Sequence, residues 1–301
     1  MASIGLKVIR GMFGAAEHLT PRLGGRAAFE LFCRTPDRRK LTAGERRAVE
    51  SAADFMSEAR HHRLKARSGC ITVHEFKPVP RRLAAGTVLV VHGWRSRTEY
   101  MRLLIEGYRR AGFRVLSLDL PGHGASQGRR LTMANAVDAV RVADEWFGPF
   151  TCVVGHSFGG AVALSAAAGA IRGIAPLSVQ RLVLVAAPNA MSDVFAGFGR
   201  HINIGPRSAS SADRQVERIS GHRLAYFVGS EFLQRLKVPV LVIHAPDDRE
   251  VSADNASALG SAGSHVRLQW APGLGHRRIL TDPTVVQLAV GFAGSADEMA
   301  H

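Results

Sequence analysis

Residues 150–170, FTCVVGHSFGGAVALSAAAGA, join an apolar run typical of a strand to a run of small apolar residues typical of a helix. Between the two runs, residues 155–159 (GHSFG) have the pattern G-x-S-x-G. A sharp turn at such a junction strains the central residue, and the flanking glycines remove side chains that would clash. The pattern therefore predicts that Ser157 stands exposed above the strand end, beside a helix N-terminus.

Short β-branched runs recur from residue 70 onwards, with helical stretches between most of them. Apolar strands that alternate with helices are typical of a mostly parallel sheet with helices on both faces. The alternation breaks at residues 189–237, a segment rich in glycine, aromatic residues and arginine that is too long for a simple connection. We therefore predict an α/β core over residues 68–188 and 238–301, with a small helical cap or lid at 189–237.

The first 67 residues are predicted to form an N-terminal helical extension. Pro21 and the Gly24-Gly25 pair are expected to break this pattern before a short second helix over residues 26–32. A capping box at residues 42–45 then starts an apolar stripe that predicts a helix to about His62. Two interpretations of the extension stay open. It is an arm packed on the main domain, or a basic helix that contacts a lipid surface or a partner.

Two downstream segments supply acidic and basic partners for Ser157. Asp247 and Asp248 follow one predicted strand, and His276 lies in a glycine loop after the next strand. Ligands of open α/β sheets bind at the carboxyl ends of the strands, so these side chains are expected to converge. We predict Ser157 as nucleophile, His276 as base and Asp248 as the acid that orients His276, with Asp247 as the alternative acid.

A negatively charged oxygen that develops on a substrate carbonyl needs two N–H donors. His92 and Gly93 are predicted to form a tight turn after the first central strand, which directs the backbone amide of Trp94 toward the serine. We predict the amides of Trp94 and Phe158 as the oxyanion hole. The residues expected to line the substrate pocket around it are His92, Gly93 and His156.

These segments together resemble the α/β-hydrolase superfamily, in the group of serine esterases and monoacylglycerol-lipase-like (lysophospholipase-like) enzymes. The matching segments are residues 92–94 (HGW), 119–126 (DLPGHGAS), 155–160 (GHSFGG), 244–251 (HAPDDREV) and 275–276 (GH). The resemblance implies the α/β-hydrolase fold and hydrolysis of a carboxylic ester, with no metal or organic cofactor. It also implies that residues 119–126 form a structural loop, and that Ala245 replaces a glycine usual in the family.

The predicted reaction is hydrolysis of a small acyl ester or of a monoacylglycerol-like or lysophospholipid-like substrate. Two other functions stay open. An acyltransferase or thioesterase would use the same three side chains, whereas a non-catalytic ligand receptor would need none of them. The cap carries five aromatic residues that either line an acyl pocket or form the cap's own core: Phe195, Phe198, Tyr226, Phe227 and Phe232.

Composition narrows the range of partners and compartments. The net charge of +14 comes mostly from scattered arginines, and no nucleic-acid-binding motif accompanies them, so no nucleic-acid partner is expected. The three cysteines are an odd number without metal-ligand spacing, which favours a reducing compartment and a cytoplasmic location. No apolar run reaches the length of a membrane span, and nothing fixes the oligomeric state.

Overall fold

The computed structural model of the protein describes residues 4–37, 40–79 and 85–295. Within these residues, eight strands form one sheet in the order β1-β2-β4-β3-β5-β6-β7-β8. The strands are β1 (Arg60–Ala66), β2 (Gly69–Phe76), β3 (Thr87–Val91), β4 (Arg114–Asp119), β5 (Phe150–His156), β6 (Val179–Val185), β7 (Val240–His244) and β8 (Val266–Trp270). The β1–β2 and β2–β4 pairs are antiparallel, and the other five pairs are parallel.

Helices cover both faces of this sheet, because its central strands are apolar on both sides. Val88 and Val90 of β3 pack into one core, and Leu89 and Val91 pack into the other. The helices are α1 (Ile4–Leu19), α2 (Pro21–Cys33), α3 (Ala43–Ser51), α4 (Ala53–Ser57), α5 (Arg102–Arg110), α6 (Met133–Phe147), α7 (Phe158–Ala167), α8 (Met191–Ile202), α9 (Pro206–Ser220), α10 (Gly229–Arg235), α11 (Ala253–Gly260), α12 (Gly275–Arg278) and α13 (Pro283–Gly294). Helices α4, α5 and α13 cover the first core, whereas α6, α7, α10 and α11 cover the second. The predicted fold class is confirmed.

The N-terminal segment differs from its prediction in two places. The predicted helix to about His62 is wrong at its end, because α4 stops at Ser57 and β1 starts at Arg60. All seven residues of β1 pair with β2, and Leu64 and Ala66 are buried, so sheet pairing overrides the helical period. The sheet therefore starts inside the predicted extension. The predicted break at Gly24-Gly25 is also wrong, because both glycines lie within α2, which begins at Pro21.

Helices α8, α9 and α10 follow β6 and precede β7, within the segment predicted as a cap. Helix α1 packs against α2, α8 and α9, and α2 packs along α9. The side chain of Arg10 in α1 donates a 2.9 Å hydrogen bond to the carbonyl oxygen of His201 at the end of α8. One face of α1 is therefore packed on neighbouring helices, in agreement with the packed-arm interpretation. Among the residues described, no helix has the length and apolar character needed to cross a bilayer.

Candidate active site

Ser157 lies at the turn between β5 and α7, in a backbone conformation that few residues other than glycine adopt. Its φ is 53° and its ψ is −125°. Its N–H donates a 2.9 Å hydrogen bond to the carbonyl oxygen of Val185, which ties the turn to β6. A Cβ on Gly155 would lie 2.4 Å from the carbonyl oxygen of Gly159, so the turn closes only with glycine at this position. Strain of this kind is characteristic of functional turns.

Gly159 is expected to be the most sensitive glycine of this turn. A Cβ there would lie 2.2 Å from the carbonyl oxygen of Val91 and 2.6 Å from that of His92, and both acceptors are backbone atoms. We expect Gly159→Ala to lower the free energy of unfolding by about 3 kcal/mol, measured by urea denaturation. Gly291→Ala is the control, because nothing lies within 4 Å of a Cβ at this position in α13. It should be neutral or stabilising by up to about 1 kcal/mol. Equal effects of the two changes would contradict the prediction.

Three of the predicted side chains meet at the carboxyl edge of the sheet. The Ser157 hydroxyl oxygen lies 3.0 Å from Nε2 of His276, and Nδ1 of His276 lies 2.7 Å from Oδ2 of Asp248. A carboxylate only accepts hydrogen bonds, so Nδ1–H donates to Asp248 and Nε2 is left to accept from the hydroxyl. His276 and Asp248 are buried, and Ser157 is partly exposed to the cavity described below. This geometry allows His276 to take the proton of the serine hydroxyl.

The two adjacent aspartates have different surroundings. Oδ1 of Asp248 accepts hydrogen bonds from the N–H groups of Glu250 (2.8 Å) and Val251 (3.0 Å). Burial alone would raise the pKa of Asp248, but hydrogen bonds from His276, Val251 and Glu250 hold it below the usual value. Asp247 is exposed, and its carboxylate accepts a 2.8 Å hydrogen bond from the N–H of Gly273 instead. Only Asp248 of the pair is hydrogen-bonded to His276.

The loop after β3 approaches the serine closely. A Cβ on Gly93 would lie 2.9 Å from the Cβ of Ser157, so the chain passes directly beside the serine before it reaches Trp94. On the other side, Phe158 is the first residue of α7, where N–H groups lack intrahelical acceptors. The Trp94 and Phe158 rings lie edge to face, with centroids 6.1 Å apart. The amides of these two residues, predicted as the oxyanion hole, thus belong to segments on either side of the serine.

His92, Gly93 and His156 were expected to line the substrate pocket, and the structure places them behind it. Nδ1–H of His92 donates to the Gly93 carbonyl oxygen at 2.7 Å, while its Nε2 accepts from the N–H of Leu120 at 3.0 Å. Nε2–H of His156 donates to the carbonyl oxygen of His276 at 2.9 Å, and burial lowers the pKa of His156 to about 3. These neutral, buried rings hold the loops that carry the site. The expectation is corrected accordingly, because none of the three lines the cavity.

The segment 119–126 forms a buried polar junction, as expected for a structural loop. The Asp119 carboxylate accepts from Nε2–H of His74 (2.9 Å) and from the N–H groups of Thr98 (3.0 Å) and Ala125 (2.8 Å). Burial alone would raise the pKa of Asp119. The hydrogen bonds from His74 and Ala125 and the electrostatic interactions with His74 and His92 lower it, so the pKa of Asp119 lies well below its usual range. The junction joins β2, β4 and the loop before α5 beneath the site.

A cavity of about 720 Å³ opens above Ser157 and His276. Its walls come from Trp94 and Phe158, from helices α8 and α9 and the start of α6, and from α2 of the N-terminal segment. The five predicted cap aromatics divide into two groups. Phe198 and Phe227 line the cavity. Phe195 is buried in a small cluster between α2, α8 and α9, and Phe232 is buried in the main core with Tyr226 packed against it. The contribution of α2 was missed, because sequence periodicity identifies an apolar face but not what that face contacts.

Comparison with known proteins identifies the family. The sequence profile of the Alpha/beta hydrolase family matches residues 88–287, about two thirds of the chain, and the chain belongs to this family. The resemblance predicted from the motifs is confirmed at this level. No curated protein matches the chain significantly in sequence.

Solved structures of similar fold include several hydrolases. The esterase domain of a Rhodothermus marinus protein is 19% identical, with a TM-score of 0.56 over 78% of this chain and 96% of that domain. An esterase from Exiguobacterium antarcticum is 15% identical, with a TM-score of 0.58 over 78% of this chain and 100% of that chain. An α/β serine hydrolase without lid from Xanthomonas campestris is 20% identical, with a TM-score of 0.55 over 78% of this chain and 95% of that chain. Likeness at these identities shows the shared fold.

Proposed function

We propose that the protein is a serine hydrolase that cleaves carboxylic esters through an acyl-enzyme intermediate. The observation that carries the proposal is the chain of hydrogen bonds from the Ser157 hydroxyl through His276 to Asp248, at 3.0 and 2.7 Å. The esterases among the proteins of similar fold support an ester as the substrate. The substrate is a small molecule, either a small acyl ester or a monoacylglycerol-like or lysophospholipid-like ester.

The proposed reaction has two steps. The hydroxyl oxygen of Ser157 attacks the carbonyl carbon, while Nε2 of His276 takes the hydroxyl proton and passes it to the leaving alcohol. Asp248 holds the imidazole in the required tautomer and stabilises the imidazolium. The amides of Trp94 and Phe158 bind the developing oxyanion, and such a donor contributes about 3 kcal/mol to lowering the barrier. Water activated by His276 then releases the acid and restores the serine.

A panel of p-nitrophenyl esters, from acetate to palmitate, tests the proposal. We expect steady turnover and covalent labelling of Ser157 by a fluorophosphonate probe. Folded protein that neither turns over any ester nor takes the label would favour the receptor alternative. The acyltransferase alternative predicts transfer of the acyl group to an added alcohol in preference to water, and the thioesterase alternative predicts faster turnover of the matching thioesters. Product analysis distinguishes these outcomes from ester hydrolysis.

We further infer a peripheral contact between α1 and an anionic lipid surface. The face of α1 that points away from the cap carries Ile4, Val8 and Met12, which are 82, 55 and 67% exposed, with the basic Lys7 beside them. This combination is typical of interfacial helices. A cytoplasmic location, inferred from the three free thiols, is compatible with such a contact.

Vesicle sedimentation tests the lipid contact. Simultaneous replacement of Ile4, Val8 and Met12 by serine is expected to weaken binding to vesicles of mixed neutral and anionic phospholipid at least about tenfold, because each apolar side chain loses its transfer free energy. Leu103→Ser is the control, since Leu103 is an exposed apolar residue on α5, outside the N-terminal arm. Binding that is weak for the unchanged protein, or equal for both variants, would contradict the inference.

A further inference from the structure

Helix α2 reaches across the molecule from the cap to the loop that precedes α6. Its C-terminal half contributes side chains to the cavity above Ser157, so a segment outside the matched family region borders the candidate active site. The α2 residues on the cavity wall are Phe29, Leu31, Phe32 and Cys33.

Phe32 has the most direct connection to the site. Its ring stacks on Trp94, with the centroids 6.3 Å apart and the planes 16° from parallel. It also packs against the rings of Phe195 and Phe198 of α8, at 5.2 Å in each case. Contacts of this kind between aromatic rings are attractive beyond the apolar area that they bury. Phe32 therefore closes the gap between the cap and the loop that carries the proposed Trp94 donor.

The N-terminal end of α2 is fixed to the cap by close helix packing. A Cβ on Gly25 would lie 2.3 Å from the carbonyl oxygen of Ser208 and 2.5 Å from the Cβ of Ser211, so glycine is what permits this approach to α9. The Ser211 hydroxyl donates a 3.1 Å hydrogen bond to the carbonyl oxygen of Arg22. The backbone of the first turns of α2 thus lies directly on α9.

Glu17, in the preceding helix α1, reinforces this junction. Its carboxylate accepts hydrogen bonds from the N–H groups of Arg207 (2.8 Å) and Ser208 (2.9 Å), which are free donors in the first turn of α9. Burial alone would raise the pKa of Glu17, but hydrogen bonds from Ser208 and Arg207 hold it below the usual value. A carboxylate at a helix N-terminus is also favoured by the helix dipole.

The other end of α2 is fixed to the core. The N–H of Leu131 donates to the carbonyl oxygen of Cys33 at 2.8 Å, and the N–H of Thr35 donates to that of Arg129 at 3.1 Å. The Arg130 guanidinium pairs with Glu30 at 3.0 Å. With both ends fixed, α2 is held as a wall in the position seen here.

The two sides of the cavity differ in polarity. We use this difference to assign one side to the alcohol half of an ester and the other side to the acyl half. The leaving alcohol must lie beside His276, which protonates it. On that side the cavity lining includes Glu250, whose carboxylate lies 3.9 Å from Nε2 of His276, and its neighbour Arg249. The wall formed by α2, α8 and Trp94 is mainly apolar, with Asp193 and Arg200 of α8 as charged exceptions, so its apolar part suits the acyl group.

We propose that α2, chiefly through Phe32, forms the acyl-binding wall and selects esters of apolar carboxylic acids with a polar alcohol. This inference rests on the proposed esterase function, because it assigns the acyl half of the same substrate. The N-terminal segment is then part of the substrate site and a specificity determinant.

The test compares the ratio of kcat/KM for p-nitrophenyl octanoate to that for the acetate. Phe32→Ala is expected to lower this ratio about tenfold, since the inference places the eight-carbon chain of octanoate, and not the acetyl group, against the wall. Phe32→Leu keeps apolar bulk at the wall and should stay within about threefold of the unchanged protein. Leu23→Ala is the matched control and should leave the ratio unchanged, because Leu23 of the same helix is 62% exposed and is not among the residues that line the cavity.

The outcomes separate this inference from the proposed function. An equal loss on both esters in Phe32→Ala would show a purely structural role and overturn the inference, while leaving esterase activity established. If the unchanged protein hydrolyses no ester, the proposed function fails. Calorimetry of octanoate binding then tests whether α2 forms an acyl-binding wall. About tenfold weaker binding to Phe32→Ala than to Leu23→Ala supports the wall, and equal binding overturns it.

Discussion

Replacement of Ser157 by alanine is expected to lower kcat for ester hydrolysis by about 10⁴- to 10⁶-fold, to the residual rate that binding and oxyanion stabilisation alone provide. The reason is the position of the hydroxyl, 3.0 Å from Nε2 of His276 and beside the N-terminus of α7. No acyl-enzyme forms without this oxygen. The measurement is the burst and steady-state release of p-nitrophenol, together with fluorophosphonate labelling.

Ser210→Ala provides the comparison for this experiment. Ser210 is an exposed serine on α9 and is not among the residues that line the cavity, so its loss should leave both turnover and labelling unchanged. If Ser157→Ala keeps more than about one hundredth of the original kcat in a folded protein, the hydroxyl is not the nucleophile.

Asp248→Asn is expected to have the next largest effect, a loss of about 10⁴-fold in kcat. The amide group of asparagine would donate to Nδ1 of His276, and the ring would then carry its proton on Nε2, where it cannot accept the serine proton. The pKa of Asp248 lies below its usual value, so the native residue is a carboxylate throughout a neutral assay. The comparison at pH 7 therefore reports the loss of an ionised carboxylate, both its negative charge and its hydrogen-bond pattern.

Asp247→Asn is the matched control, because Asp247 is adjacent in sequence but accepts its hydrogen bond from Gly273. An amide oxygen can accept that hydrogen bond, so a change within about threefold is expected. Larger loss from Asp247→Asn than from Asp248→Asn would assign the acid role to Asp247, the alternative left open by the sequence.

The lowered pKa of Asp248 determines how the stability of the fold depends on pH. A carboxyl group whose pKa is lower in the folded than in the unfolded protein stabilises the fold above the unfolded pKa. That contribution decreases as the pH falls through the folded value. Asp248 therefore adds to the acid sensitivity of the loop after β7. Its carboxylate accepts hydrogen bonds from the N–H groups of residues 250 and 251 in that loop.

Local patterns were sufficient to predict the sheet and the central turn. The strands between residues 70 and 270 are short, apolar and separated by helices, and the flanking glycines of Ser157 are needed for the turn itself. The order of Ser157, Asp248 and His276 could be assigned because each follows a strand of a parallel sheet. These features depend on residues close to one another in the chain.

Features that depend on distant contacts were not predictable in this way. Gly24 and Gly25 resemble a helix break in the sequence, but they lie inside α2 because α9 packs against them. The strand β1 has the composition of a polar surface segment, and only its partner β2 makes it a strand. His92 and His156 lie next to the reactive groups in sequence, yet their rings point behind the turn, where they bond backbone atoms.

The attachment of Glu17 to α9 has a consequence for biosynthesis. Its partner Arg207 lies 190 residues further along the chain, which corresponds to roughly 10–40 s of translation at about 5–20 residues per second. For most of that interval the ring of Phe32 lacks two of its partners, the rings of Phe195 and Phe198 of α8. The arm can thus dock on α9 only after the chain has been synthesised beyond β6, while β7 and β8 are still to come.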